Sequence, residues 1–321
     1  MERVSLAGKG VLVTLPLTER QREEFSSLVS SVGGSVSFVS DADVTEADVA
    51  AAAIIIGTMP VDMLHASPKL EWVQTSTAGY DHLLAPGVLA PGTRLSNASG
   101  AYGQAVSEHM LAQLLCLMKR LHRYRDNQGR GLWRDEGPVT SLVGARVLVL
   151  GAGDVGTSFA RLVRDLGAHV TGMRRSVVEA TEPYERMITP DALRDTLPQT
   201  DVVASVLPST PQTRGMANDA FFARMKRGAF FVNAGRGDFV DQDALCRALS
   251  SGNLAGAALD VTDPEPLPAD HPLWRQPNAL ITPHVAGWWH LQATVDNVVR
   301  ISLANLRCYL AGKPLKNEVV R

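Results

Sequence analysis

Residues 147–156 read Val-Leu-Val-Leu-Gly-Ala-Gly-Asp-Val-Gly, a run of buried-strand residues passing into G-x-G-x-x-G and then into a helical pattern. Each glycine has its own use. Gly151 permits the tight turn, Gly153 lets a pyrophosphate approach the backbone, and Gly156 lets the helix pack close to the strand. The helix that opens at Asp154 and Val155 adds amide donors and a partial positive charge for the same anion. Alone, the motif could be an ordinary glycine-rich turn; with a strand before it and a helix after it, it points to a dinucleotide. The next strand ends in Gly172-Met173-Arg174-Arg175-Ser176. Dinucleotide folds place an acidic residue for the adenosine ribose hydroxyls there, about 20 residues beyond the glycines. No carboxylate stands at this position. Two guanidinium groups and a hydroxyl suit a 2′-phosphate, so NADP(H) is the expected cofactor, with NAD(H) possible. The alternative is that Arg174 and Arg175 are solvated loop charges.

The elements that must position these residues alternate along the chain. In the first hundred residues GVLVTLP (10–16), SVSFVS (35–40), AAAIIIG (51–57) and LEWVQTS (70–76) read as short strands, with a helix-like ERQREEFSSLVSSVGG after the first. That rhythm predicts a parallel α/β unit. Gly33-Gly34 is expected to stop the helix, and prolines at 60, 68, 86 and 91 break the region into loops. From Ala101 to Asn127 the pattern predicts one long helix, a spine leading into a second unit. In that unit ARVLVLGAG (145–153), AHVTGM (168–173), DVVASVLP (201–208), GAFFVNAG (228–235), AGAALDV (255–261) and NALITPH (278–284) are mostly apolar, as strands covered on both faces are. Val155, Phe159, Leu162, Val163 and Leu166 form the apolar face of the helix after the glycine turn, and Ala293 to Leu310 reads as a last helix returning towards the first unit. The fold class is α/β with two doubly wound parallel-sheet domains.

Composition narrows the function. The 321 residues carry 31 Lys+Arg against 33 Asp+Glu, so no basic field exists to neutralise a row of phosphates, and no nucleic acid is expected. No stretch approaches the roughly 18 apolar residues of a membrane helix, and the N-terminus lacks a targeting pattern, so a cytoplasmic protein with no membrane partner is expected. The cysteines Cys116, Cys246 and Cys308 are odd in number, far apart and set in helix-like segments, which leaves neither a disulfide framework nor a CxxC metal site. Cys116 and Cys246, with apolar neighbours at helical spacing, read as small buried hydrophobes, and none of the three is assigned chemistry.

Four further segments resemble the D-isomer-specific 2-hydroxyacid dehydrogenase family, which includes glycerate, glyoxylate/hydroxypyruvate and D-lactate enzymes. They are Ser76-Thr-Ala-Gly-Tyr-Asp81, Leu207-Pro-Ser-Thr-Pro-Gln-Thr213, Asn233-Ala-Gly-Arg-Gly237, and the pair Leu259-Asp-Val-Thr-Asp-Pro-Glu-Pro266 with Thr282-Pro-His284. The resemblance covers nearly the whole chain. It implies a Rossmann cofactor domain (100–290) inserted into a flavodoxin-like substrate domain built from residues 1–99 and 291–321, and a homodimer formed largely by the cofactor domain. It also places Leu207, Pro208 and Thr213 along the nucleotide, Asn233, Ala234 and Arg236 near the nicotinamide ribose, Asp260 on the carboxamide, and Ala286 and Gly287 beside the ring, next to His284.

Several of these residues also have a physical reading. Arg236 follows the apolar FFVNAG, and its fork could hold the carboxylate and the 2-oxo group of an α-keto acid while polarising the carbonyl; otherwise it is a surface arginine at a strand end. His284 ends NALITPH. Hydride added to a ketone carbon leaves a developing alkoxide, which an imidazolium within reach can protonate, and neutral His can take the proton in the reverse direction. Glu265, if it reaches the other ring nitrogen, would fix the tautomer and favour the charged acid form. Asp260 at the end of AGAALD would be costly if buried alone, so a donor is expected nearby, and a carboxamide fits. Ala78 and Gly79 lie in a turn with free amides for a carboxylate, with Tyr80 and Asp81 beside them as fold determinants. Met59 lines the cleft or packs in the core. The other histidines, His65, His82, His109, His122, His169, His271 and His290, share no metal-ligand spacing and are assigned to surface or structural roles.

Two departures from the family pattern stand out. Trp288-Trp289 follows the histidine loop where small or polar residues are usual; either one of them, Trp288 by preference, forms a substrate-side wall, or both pack against the domain interface and say nothing about substrate. The chain ends at Arg321, where many phosphoglycerate dehydrogenases carry a regulatory domain, so serine-type feedback is not expected. The leading expectation is NADPH-dependent reduction of a small 2-keto acid to the D-2-hydroxy acid. One alternative is oxidation of another D-2-hydroxy acid or small anion; formate chemistry would normally lack the Glu beside the His. A dinucleotide-sensing, corepressor-like binding protein is the alternative from another class, although it would not need the Arg, Glu and His set.

Overall fold

In the computed structural model, which describes residues 4–320, the strands of both sheets pair in parallel. The chain divides into two units, one comprising residues up to Tyr102 and from Trp289 onward, the other Gly103–Trp288.

The first unit runs β1 (Gly10–Val13), α1 (Glu19–Ser30), β2 (Ser35–Phe38), α2 (Glu46–Ala51), β3 (Ala52–Ile56), β4 (Trp72–Gln74) and β5 (Arg94–Ser96), with sheet order β2-β1-β3-β4-β5. This is the flavodoxin-like order. Thr18 and Thr45 start the two helices with reciprocal capping boxes to Gln21 and Asp48. Gly33, at φ +79°, turns the chain after α1. The middle strand β3 is buried along its whole length, which explains its unbroken apolar sequence.

The second unit contains α3 (Gly103–Met118), α4 (Leu121–Gly129), β6 (Arg146–Leu150), α5 (Asp154–Asp165), β7 (His169–Met173), β8 (Arg186–Ile188), α6 (Leu193–Thr196), β9 (Val202–Ser205), α7 (Asp219–Arg224), β10 (Ala229–Asn233), α8 (Gln242–Ser250), β11 (Leu254–Leu259) and β12 (Ala279–Ile281). Its order, β12-β11-β10-β9-β6-β7-β8, reverses direction between β6 and β9. That switch point is where doubly wound sheets bind ligands. Phe221, Phe222, Phe231 and Phe239 interlock, mostly edge to face, in the core beneath β9 and β10. The last helix, α9 (Gln292–Leu310), belongs to the first unit, where Tyr309 stacks on Trp72 at 5.2 Å between ring centroids. Among the described residues no helix is long and apolar enough to cross a membrane.

The structure corrects several sequence expectations. The single helix expected from 101 to 127 is two, because Arg120 adopts a left-handed conformation (φ 58°) while its guanidinium donates to the Glu136 carbonyl. The strand before His284 ends at Ile281, since Pro283 has no N–H for the ladder and His284 itself takes φ 52°. On α5, Leu166 lies past the helix end and is exposed, whereas Phe159, Ala160 and Val163 carry the packing. Only Cys246 is buried among the cysteines; Cys116 and Cys308 are half-exposed. The three-residue strands β5 and β8 are too short and too polar to leave a period-two signal.

Candidate active site

The last residues of six adjacent strands in the second unit fall in one row: Met173 pairs with Leu150, Leu150 with Ser205, Ser205 with Asn233, Asn233 with Leu259, and Leu259 with Ile281. Everything that follows these residues therefore leaves the sheet at the same carboxyl edge. With about 4.8 Å between strands, the row spans roughly 24 Å. Arg174 lies at one end of it, the glycine turn one strand in from there, and Arg236, Asp260 and His284 follow β10, β11 and β12 towards the other end.

The glycine turn fits a dinucleotide. Gly151 sits at φ +100°, and a Cβ on Gly156 would lie 2.1 Å from the Gly151 carbonyl, so the helix can approach only as glycine. Gly153, by contrast, is exposed, with nothing within 4 Å of where its Cβ would be, so the surface a pyrophosphate would occupy is open. Gly153 is also the N-cap of α5 and provides no side-chain cap, whereas Thr18, Thr45, Asn218 and Asp241 cap theirs. The first-turn amides at Asp154 and Val155 therefore remain available to an anion. One strand over, Arg174 donates from Nε to the Ala152 carbonyl at 2.9 Å, which fixes its guanidinium against the glycine turn, while Arg175 and Ser176 are exposed beside it. Tyr184 lies close to this corner; burial pushes its hydroxyl above the usual tyrosine value and keeps it neutral near the arginines.

Leu207 is buried and Pro208 exposed on the loop after β9, and the Thr213 hydroxyl donates to the Pro208 carbonyl at 2.7 Å, closing that loop on itself. Asn233 is turned inward: its amide donates to the Arg236 carbonyl (2.9 Å) and its oxygen accepts from Gly235 N (3.2 Å), which shapes the turn that carries Ala234 and Arg236. Gly237 must be glycine, since a Cβ there would meet the Thr262 carbonyl at 1.9 Å. Arg236 itself is half-buried and donates from Nη1 to the Gly235 carbonyl at 2.8 Å.

His284 and Glu265 meet. His284 Nδ1 lies 2.8 Å from Glu265 Oε2, and Glu265 Oε1 accepts from Thr262 N at 3.1 Å, so both carboxylate oxygens are engaged. A carboxylate accepts only, so Nδ1 carries the proton and Nε2 is left to face a reactant. The side chain of His284 is 50% exposed, open to a small molecule. Its left-handed backbone is unusual for a non-glycine residue and costs roughly 1–2 kcal/mol. It is held by His284 N donating to the carbonyl of Asp260 at 2.7 Å.

Asp260 is 3% exposed, and its own chain provides the donors that burial demands: Thr282 Oγ1 at 2.6 Å, Val285 N at 3.0 Å and Ala286 N at 3.1 Å. Its burial therefore does not itself call for a carboxamide. The same bonds hold Val285 and Ala286, the two residues that follow the histidine, and Gly287 comes next in the chain. Sequence reasoning missed the other members of this cluster. His109 Nε2 lies 3.0 Å from Thr282 Oγ1 and 3.7 Å from Asp260, and Gln113 Nε2 lies 3.0 Å from the same hydroxyl. Of the surface or structural role expected of it, His109 therefore takes the structural one. Its spacing to Gln113, four residues along one helix, was the available signal, but nothing local indicated the partner.

The remaining expected residues divide between the units. Trp288 is the last residue of the second unit and is 57% exposed. Ala78 and Gly79 belong to the first unit, half-buried after β4, where Thr77 Oγ1 donates to the Gly79 carbonyl at 2.6 Å. Met59 follows β3 and packs with Leu12, Ile55 and Val73 in that unit's core.

Known proteins resemble this chain over most of its length. Residues 111–286, more than half of the chain, match the NAD binding domain of D-isomer specific 2-hydroxyacid dehydrogenases. A human glyoxylate reductase/hydroxypyruvate reductase is 31% identical over 261 residues, 79% of this chain and 78% of the human protein. Among solved structures, a D-isomer specific 2-hydroxyacid dehydrogenase family protein from Aeromonas salmonicida is similar with a TM-score of 0.83 at 31% identity, covering 98% of this chain and 99% of that one. An NADPH-dependent glyoxylate/hydroxypyruvate reductase from Sinorhizobium meliloti, in complex with NADP and sulfate, is similar with a TM-score of 0.80 at 27% identity, covering 97% and 98%. The chain belongs to the D-isomer specific 2-hydroxyacid dehydrogenase family, whose members are NAD(P)-dependent enzymes.

Proposed function

We propose that the protein reduces a small 2-keto acid of the glyoxylate/hydroxypyruvate type to the D-2-hydroxy acid, with NADPH as the preferred cofactor. The Gly103–Trp288 unit would serve as cofactor domain. The observation that carries the reading is the 2.8 Å contact between His284 Nδ1 and Glu265 Oε2, with Nε2 left over, on the same sheet edge as an open glycine turn. The nicotinamide cofactor supplies the hydride. Arg236 binds the substrate carboxylate and the keto oxygen, drawing electron density from C2. His284 gives its Nε2 proton to the carbonyl oxygen as the alcohol forms and is left neutral. Glu265 stabilises the charged ring beforehand and keeps the proton on Nδ1 afterwards. The acceptor panel of glyoxylate, hydroxypyruvate, pyruvate and phenylpyruvate, run with NADPH and NADH in parallel, tests the reading. Turnover with none of them would overturn it.

The cofactor preference rests on Arg174, Arg175 and Ser176 and agrees with the NADP bound in the Sinorhizobium meliloti relative. Replacing Arg174 and Arg175 together by Ala is expected to lower kcat/KM for NADPH by about 10²-fold, because two charge-assisted bonds to a phosphate are lost. The value for NADH should change less than threefold. Equal losses with both cofactors would remove the 2′-phosphate role.

A homodimer is part of the same proposal. Between α4 and β6 the chain exposes Leu132, Val139, Val143 and a wholly exposed Trp133, apolar surface with no cover in one copy. Trp133→Glu is expected to convert a dimer into a monomer, read by light scattering during gel filtration. A native protein that is monomeric at micromolar concentration would refute the dimer.

A further inference from the structure

We propose that His109 and Gln113 on α3 are positioning residues for His284, acting through the Thr282 hydroxyl and the buried carboxylate of Asp260. The inference deepens the proposed reaction and rests on it for its catalytic consequence, but the geometry stands apart from that reaction.

Hydrogen-bond counting around Thr282 Oγ1 fixes the direction of every bond. The hydroxyl has one proton and two lone pairs. Asp260 Oδ1, 2.6 Å away on a residue 3% exposed, can only accept, so the proton goes there. Both remaining neighbours at 3.0 Å, His109 Nε2 and Gln113 Nε2, must then donate. His109 therefore carries its proton on Nε2, and Gln113 presents its NH₂, which leaves its buried Oε1 without a hydrogen-bond partner. An amide that turned its oxygen to Thr282 would compete with Asp260 for the only proton. The orphaned oxygen is the cost of holding the donor in place.

The consequence runs along the loop. With the Thr282 proton committed to Oδ1, Asp260 also takes the amides of Val285 and Ala286, the residues just past His284. The carbonyl of Asp260 meanwhile accepts from His284 N at 2.7 Å. The loop is thus clamped on both sides of a histidine whose backbone sits at φ 52°, a conformation that relaxes unless its surroundings hold it. Loss of the Thr282 bond frees one end of the clamp and lets the ring drift from Glu265. His109 and Gln113 touch no reacting atom in this scheme. They keep the hydroxyl pointed.

The test combines turnover with ¹⁵N-histidine NMR on the whole protein. His284→Asn identifies the His284 ring signals. Thr282→Val and His109→Leu are expected to shift those signals and lower kcat about tenfold to hundredfold, the scale of one buried bond to a charged group, while KM for the keto acid changes less than threefold. Thr282→Ser and His109→Gln each put back a donor and should restore the signals and most of the rate. The ¹⁵N shifts of native His109 should show a proton on Nε2. Unmoved His284 signals in both Thr282→Val and His109→Leu, or an Nδ1-protonated His109, would overturn the proposal. Shifted signals beside an active His284→Asn variant would instead uphold the clamp and remove the acid/base role of His284, so the two failures are distinct.

Discussion

Replacing His284 by Asn is expected to lower kcat for 2-keto acid reduction by about 10²- to 10⁴-fold, the range that a positioned general acid contributes. Asparagine keeps a polar side chain of similar reach and tolerates a left-handed backbone better than most residues, so the loop held by Asp260 should survive. It has no titratable proton to give. Binding of NADPH, followed by its fluorescence, should be within threefold of the native value, and the melting temperature should be little changed. The loss would then lie in the chemical step. Glu265→Gln should fall between the two, because an amide still reaches Nδ1 at the 2.8 Å position but no longer stabilises a charged ring. A His284→Asn variant with near-native kcat would remove the residue from catalysis.

The second large effect belongs to Arg236. Arg236→Ala is expected to reduce kcat/KM for the keto acid by about 10³-fold, equivalent to roughly 4 kcal/mol of transition-state binding. A bidentate fork on the carboxylate and keto oxygen is lost, and the developing negative charge on oxygen loses its nearest cation. Arg236→Lys keeps the charge without the planar fork and should recover only part of this. The turn around the arginine is set by Asn233 and by the crowding at Gly237, so neither substitution should unfold it. Steady-state rates across a range of keto acid concentrations measure the effect, and an unchanged kcat/KM would exclude Arg236 as the anchor.

What was legible in the sequence follows from which interactions are local. The strands of the second unit could be read because a parallel sheet covered on both faces demands unbroken apolar runs, as in VLVL before Gly151 and FFVN before Arg236. The glycine turn could be read because Gly151 takes φ +100° and a Cβ on Gly156 would strike the Gly151 carbonyl, both demands that arise within a few residues. Glu265 and His284 are 19 residues apart and were paired only through the family pattern, and the contact at 2.8 Å agrees with that pairing. What could not be read depends on partners distant in sequence. The break at Arg120 is held by the carbonyl of Glu136, 16 residues on, and no rule of helix termination marks an arginine as a stop. His109 reaches Thr282 across 173 positions. Asp260 was correctly expected to need donors, but that they would come from the loop carrying the histidine depends on how the chain turns after β12.

The most direct test of keto acid reduction is the stoichiometry and configuration of product when the purified protein is given NADPH and hydroxypyruvate. One NADPH consumed per glycerate formed, with the glycerate entirely the D isomer, is the expected result. NADPH that binds but is not consumed, or glycerate of the L configuration, would contradict it.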